Sequence, residues 1–140
     1  MSYRIRRAKD LSMIVTLNTI IFPEDALHLD EQTVAWVAYD KNNQPAAFCT
    51  ARKLEDRVLY FDRGGVLKEH QGKGLHRKLI EIRERYARKN KYKTAITYVM
   101  KDNIKSLCTL VRCDYLIYTP VYQWAGKAGD MIYYLIKEFK

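Results

Sequence analysis

The chain has 140 residues, 48% apolar and 29% charged, with a formal net charge of +9 and a pI near 9.5. That balance excludes a disordered chain and suits one domain with a real buried core. Apolar runs such as Thr19-Ile20-Ile21-Phe22 are too short to cross a bilayer, and the basic start Met1-Ser2-Tyr3-Arg4-Ile5-Arg6-Arg7 has no apolar stretch behind it, so a cytoplasmic protein without membrane contact is expected.

Tyr3 to Arg7 alternates enough for a short first strand. Asp10 is placed to cap a helix through Leu11, Ile14, Val15, Asn18 and Ile21, which Phe22-Pro23-Glu24-Asp25 ends or redirects. Thr33 to Tyr39 and Ala46 to Leu54 form two strands joined across the polar cluster Asp40 to Pro45, a hairpin. Glu55-Asp56 then turns the chain into a strand from Arg57 to Val66, whose closing Gly64-Gly65 has the composition of a bulge. After Val66 the chain enters a glycine-containing loop and opens onto a helix with Leu75, Leu79, Ile82 and Tyr86 at helical spacing. Arg77, Lys78, Arg83, Arg85 and Arg88 fill its other positions. Thr94 to Met100 is β-branched and aromatic, a central strand parallel to its predecessor. A helix from about Asn103 and strands near Tyr115 to Trp124 and Met131 to Phe139 complete the chain. No repeat or linker divides residues 1–140, which read as one domain.

A helix start leaves its first N–H groups without internal partners, and Gly72 and Gly74 let an anion approach them closely. Two phosphates fit there. The loop Gln71-Gly72-Lys73-Gly74-Leu75-His76, between its strand and its helix, resembles the acyl-CoA signature of the GNAT N-acyltransferases, Arg/Gln-x-x-Gly-x-Gly/Ala. Gln71 and Gly74 match, while His76 stands where that family has a small residue. A second motif, Asn103 to Tyr115, resembles the family's Asn-x-x-Ala/Ser helix ending in Gly-Phe, with Asp114-Tyr115 in place of the last pair. Asn103 is equally read as a plain helix N-cap.

The resemblance implies an α/β (α+β) fold in a single GNAT-like domain: a mixed, mostly antiparallel, twisted sheet of six to seven strands flanked by about four helices. It implies acetyl-CoA as cosubstrate, held by Gly64, Gly65, Val66 and Leu67 on the strand, Gln71 to Arg77 in the loop and helix start (Gln71, Gly72, Lys73, Gly74, Leu75, His76, Arg77), and Asn103 with Ser106. It implies transfer of an acetyl group to a primary amine of a protein or small molecule by direct attack. Such a transfer needs a neutral amine, a polarised carbonyl and a protonated leaving thiolate. Tyr60 occupies the position of the family's carboxylate; Asp62, two residues on and on the same face by strand alternation, is the candidate base, with an ion pair to an arginine as its structural alternative. The family's acidic tyrosine aligns with Leu110, and Tyr118 is the candidate substitute, with Tyr122 and Cys108 behind it. His70 is read as a solvent-facing turn residue.

Three cysteines, Cys49, Cys108 and Cys113, stand at spacings unlike a metal site and read as free buried thiols, so no metal is expected. Lys73, Arg77 and Lys78 suit the phosphates of CoA, but Arg83, Arg85, Arg88, Lys89, Lys91 and Lys93 continue past its reach. They read either as a solvated face or as a surface for an acidic partner such as nucleic acid, which leaves a noncatalytic basic binding module as the alternative function. The apolar run Met131 to Ile136 can complete its own sheet or pair with a second subunit, so a monomer and a homodimer are both expected forms.

Overall fold

The computed structural model describes residues 2–127 and 130–140. In chain order it contains β1 (Arg4–Arg7), α1 (Ser12–Ile21), β2 (Thr33–Tyr39), β3 (Pro45–Glu55), β4 (Val58–Val66), a 3₁₀ turn (Lys68–His70), α2 (Leu75–Lys89), β5 (Thr94–Met100), α3 (Ile104–Arg112), β6 (Leu116–Tyr118) and β7 (Ile132–Glu138). All seven strands form one sheet in the order β1-β2-β3-β4-β5-β7-β6, antiparallel except for the β4–β5 pair. The fold class is the expected one; three α-helices and a 3₁₀ turn stand among the described residues where about four helices were anticipated, and the chain after Phe22 runs through turns to β2.

Two faces of the sheet are covered. On one, Ile14 and Leu17 of α1 bury against Ala35, Val37 and Phe48. On the other, Leu75, Leu79, Ile80 and Ala87 of α2 pack with Leu110 of α3 on Cys49, Ala51, Leu59, Phe61 and Ala95. Burial of this seam is what makes α2 stable despite its many charges, since helix propensity alone leaves a helix of this length marginal. Glu84 is drawn into that interface by a polar network: the Tyr115 hydroxyl donates to its carboxylate at 2.8 Å, and Lys137 Nζ donates to it at 3.0 Å and to the Cys113 carbonyl at 2.8 Å. A buried carboxylate is tolerated only with such partners.

The parallel β4–β5 pair holds only from Val58↔Thr94 to Tyr60↔Ile96, after which the two strands separate. The cause lies on the other side of β4. Arg52 pairs with Tyr60 and Thr50 with Arg63, so Phe61 and Asp62 together face the single residue Ala51, a β-bulge that bends β4 away from its neighbour. The bulge expected at Gly64-Gly65 is thus earlier in the strand, and those glycines pair regularly with Cys49 and Phe48. The Thr97 hydroxyl donates to the Phe61 carbonyl at 2.9 Å, bridging the first step of the gap.

Two further departures concern β6 and α3. β6 is much shorter than the strand anticipated from Tyr115 to Trp124, because Thr119-Pro120 interrupts it and proline has no N–H to give the ladder. Cys108 is exposed, whereas Cys49 and Cys113 are buried as expected; all three are free thiols.

Candidate active site

Along the end of β4, beyond its paired stretch with β5, runs a groove of about 740 Å³. Its floor is Gly64, Gly65 and Val66 of β4. One wall is the loop and helix start, Gln71, Gly72, Gly74, Leu75, His76 and Arg77, and the other is α3 with Asn103, Ser106, Cys108, Thr109 and Arg112. Leu67 and Lys73 do not line it. A second depression of about 590 Å³ lies between Ile117–Gln123 and Ile132–Tyr134 on the β6 edge of the sheet.

The groove mouth is made for an anion. Gly74 precedes α2 with φ 79°, and no side chain caps the helix. Gly72 has φ 76°, so both glycines sit in the left-handed region that disfavours other residues. None of the N–H groups from Gly72 to Arg77 donates to another described group; the helix ladder begins with Lys78 N–H on the Gly74 carbonyl at 3.2 Å. A Cβ on either glycine would meet nothing within 4 Å, so the space above these amides is open. Free amides, the positive end of a helix dipole and the side chain of Arg77 at one spot fit a diphosphate.

The loop is held from behind. Gln71 Nε2 donates to the Val66 carbonyl at 3.3 Å. His70 is tied to the N-terminal strand and the hairpin: its Nδ1 lies 3.0 Å from the Tyr3 hydroxyl and its Nε2 3.7 Å from Asp40. His70 is therefore a packed anchor and not the solvent-facing residue anticipated. Gly65 has a different reason for its lack of side chain. A Cβ there would stand 2.8 Å from Phe22 and 3.1 Å from Ile21 and Phe48, because the end of α1 closes against β4 at this point.

His76, the departure from the acyl-CoA signature, is accommodated by α3. Its Nε2 lies 3.2 Å from Ser106 Oγ, and burial, with the cationic Arg83 nearby, lowers its pKa to about 4, so the ring is neutral. Asn103 accepts from the Ser106 N–H at 3.3 Å, the N-cap role, while also lining the groove. The histidine is charged below pH 6.5 in the unfolded chain. Since the native value is the lower one, stability is full above about pH 6.5 and lost as pH falls toward 4, by roughly 2–3 kcal/mol. His76→Gln should flatten that acid limb in chemical denaturation measured at pH 7 and pH 4.5; an unchanged limb would exclude His76 as its source.

Across β4, on the α1 face, Asp62 lies at the bulge as a side chain 15% exposed, with Arg52 Nε 3.4 Å from its carboxylate. That nitrogen has no aligned hydrogen bond, so the contact is a charge pairing only. Arg52 also reaches Asp30 at 3.7 Å and lies over the Tyr60 ring at 5.5 Å. Asp62 thus does share a face with Tyr60, and the arginine pairing weighed as its alternative is present as well. Tyr60 keeps its proton: burial raises its pKa, and the neighbouring Asp62 charge raises it further. Trp124 packs on Tyr60 and Tyr134, each ring 5.0 Å from it, and donates Nε1 to the Tyr118 hydroxyl at 2.7 Å. Tyr118 itself stands on β6, with β7 between it and β5. Its backbone is two strand spacings, about 10 Å, from β5, but its hydroxyl accepts from Trp124, whose ring lies against Tyr60 and Tyr98, so the side chain reaches the aromatic wall beside the splay. Leu110 is buried at 4% exposure in the α2–α3 core and offers no proton.

The sequence pattern missed Thr97 and Arg83. Arg83 was assigned to the solvated face of its helix, but it is buried at 4% exposure against β4. Its spacing from Leu75 and Leu79 puts it on the apolar face of α2, a signal outweighed by its charge in the sequence pattern.

A mixed sheet split between two parallel strands, with an uncapped helix start at the mouth of the split, defines an acyltransferase-type domain. Residues 6–115 match the acetyltransferase (GNAT) family model, and the chain belongs to that family. Among solved structures it resembles the IAA acetyltransferase from Bacillus cereus at 13% identity and TM-score 0.78, covering 99% of this chain and 100% of that one. A Bacillus subtilis acetyltransferase in complex with CoA gives 15% identity and TM-score 0.78, covering 99% and 100%. The ribosomal-protein-S18-alanine N-acetyltransferase from Escherichia coli gives 14% identity and TM-score 0.78, covering 98% and 94%. At these identities the likeness is one of fold. No curated protein sequence matches the chain significantly.

Proposed function

We propose that this protein is an acetyl-CoA-dependent N-acetyltransferase that passes the acetyl group directly to a primary amine in a ternary complex. The observation that carries the reading is the run of unpartnered amides from Gly72 to Arg77 at the mouth of a groove that ends at the β4–β5 splay. Acetyl-CoA supplies an activated acyl group. Gly72 to Arg77 hold its diphosphate, Asn103 and Ser106 flank its arm, and the edge of β4 from Phe61 to Val66, which has no strand partner on the β5 side, offers backbone groups to its amides and thioester carbonyl. Asp62, on the opposite face of β4, receives the proton of the amine. The amine enters from that face, where Tyr60, Tyr98 and Trp124 form an aromatic wall.

Calorimetric titration with acetyl-CoA, CoA and dephospho-CoA tests this reading. Saturable binding of acetyl-CoA is expected. Absence of binding at millimolar ligand would overturn the proposal and leave the exposed basic side chains as the functional surface, for which nucleic-acid binding that falls steeply with salt would be the positive sign.

A further inference from the structure

Arg83 presents a problem of charge. It is buried, yet no described carboxylate pairs with it; the adjacent Glu84 is already engaged by Tyr115 and Lys137. Buried cations are normally paired, because an isolated charge loses its hydration without compensation. Arg83 Nε donates to the Leu79 carbonyl at 3.0 Å and Nη1 to the Thr50 carbonyl at 3.3 Å, and the guanidinium lies 4.7 Å over the Phe61 ring. Nη2 donates to no described group. It stands 3.4 Å from where a Cβ on Gly64 would be, and Gly64 is part of the groove floor.

The position along the groove is what gives this cation a use. Leu75, Leu79 and Arg83 follow one face of α2, so Arg83 lies about 12 Å farther in than the anion-binding helix start. It stands beside β4 just beyond the bulge, where β4 has left β5. A ligand anchored by its diphosphate at Gly74 and lying along Gly65 and Gly64 brings its far end toward Nη2, which stands directly behind Gly64 of the groove floor. At the same time Leu110, buried in the α2–α3 core, occupies the place of the family's tyrosine and offers no proton.

We propose that Arg83 stabilises the departing thiolate of CoA, so that the sulfur leaves as an anion without a side-chain proton donor. This inference rests on the acetyl-CoA reading above. In the step, the amine nitrogen forms a bond to the thioester carbonyl carbon, the carbon–sulfur bond breaks, and the electron pair leaves on sulfur. The amine's proton passes to Asp62, Arg83 keeps all of its own, and the thiolate takes a proton from solvent on release. Gly64 is then the residue whose missing side chain lets the guanidinium reach the sulfur.

The test reads binding, not turnover. Free CoA has an ionisable thiol and acetyl-CoA does not, so the ratio of their affinities reports the charge state of the bound sulfur and cancels the titration of the phosphates. Titratable groups that feel the Arg83 charge are Cys49 from β3, held up at about 11 by burial, the neutral His76 from α2, and Tyr115 after α3, raised by burial; Lys105, Arg112 and the exposed Cys108 of α3 line the groove wall, and Asp62 lies across the strand. Titrations are made in a Cys108→Ser background, which removes the other accessible thiol. The affinity ratio of CoA to acetyl-CoA should rise about tenfold between roughly pH 6.5 and 9.5, as expected when the bound thiol ionises about one pH unit below the free one. Arg83→Met should abolish that rise and Arg83→Lys retain part of it, whereas a merely structural Arg83 would lower both affinities together and leave the ratio rising. A flat ratio in the Arg83-bearing protein, or an equal rise in Arg83→Met, overturns the inference. Failure of both ligands to bind strikes instead at the acetyl-CoA reading.

Discussion

Gly74→Glu is expected to reduce acetyl-CoA affinity at least about 100-fold, which is 2.7 kcal/mol or more, while the protein remains folded. Two terms separate in this substitution. The first is conformational: φ 79° at position 74 places a side chain in the left-handed region, at about 1–2 kcal/mol. A domain with the usual 5–15 kcal/mol of stability survives that. The second is chemical. A Cβ at 74 meets no protein atom within 4 Å, so the new carboxylate projects into the open space over the free amides, competes for them, and repels a diphosphate. Gly74→Ala carries only the first term and should cost less than about tenfold in affinity. The comparison is read by calorimetry with circular dichroism and thermal melting as the control of folding. Binding by Gly74→Glu within tenfold of the unsubstituted protein would mean that the phosphates lie elsewhere.

This loop was legible in the sequence because its chemistry is local: glycines at positive φ, a strand before and an amphipathic helix after leave little freedom of interpretation. Thr33–Tyr39 and Thr94–Met100 were legible for a similar reason, since β-branched and aromatic runs have few alternatives, and their bounds are those observed. What the sequence concealed depends on register. The bulge is set by how β3 meets β4, and Gly64-Gly65 drew attention to the wrong pair of residues. The burial of Arg83 follows from that bulge, because the misaligned ladder leaves the Thr50 carbonyl to be filled by Arg83 Nη1, an acceptor that no helical wheel displays. The Arg52–Asp62 pairing likewise exists only once the strands are aligned. Trp124 comes from a loop whose path sequence patterning does not specify, yet it packs against Tyr60, Tyr98 and Tyr134 beside the splay.

Asp62→Asn should lower kcat by roughly 100-fold or more, the usual contribution of a general base, and leave acetyl-CoA binding unchanged. The separation follows from the two faces of β4. The groove floor at Gly64 faces α2, whereas Asp62 faces α1, where Arg52 lies 3.4 Å away. Asparagine preserves shape but cannot take a proton from the amine. It also leaves Arg52 with Asp30, 3.7 Å away, as its remaining carboxylate, and that pair is partly exposed, so the expected loss of stability is small. Arg52→Met separates pairing from catalysis: it leaves the Asp62 carboxylate in place, so much of kcat should survive. Tyr118→Phe removes the hydroxyl that accepts from Trp124 Nε1, and kcat should change little if the sulfur leaves as a thiolate. A kcat for Asp62→Asn within about threefold of the unsubstituted enzyme, with acetyl-CoA still bound, would remove Asp62 from the chemistry. Proton acceptance would then fall to water on the Tyr60 side of the splay.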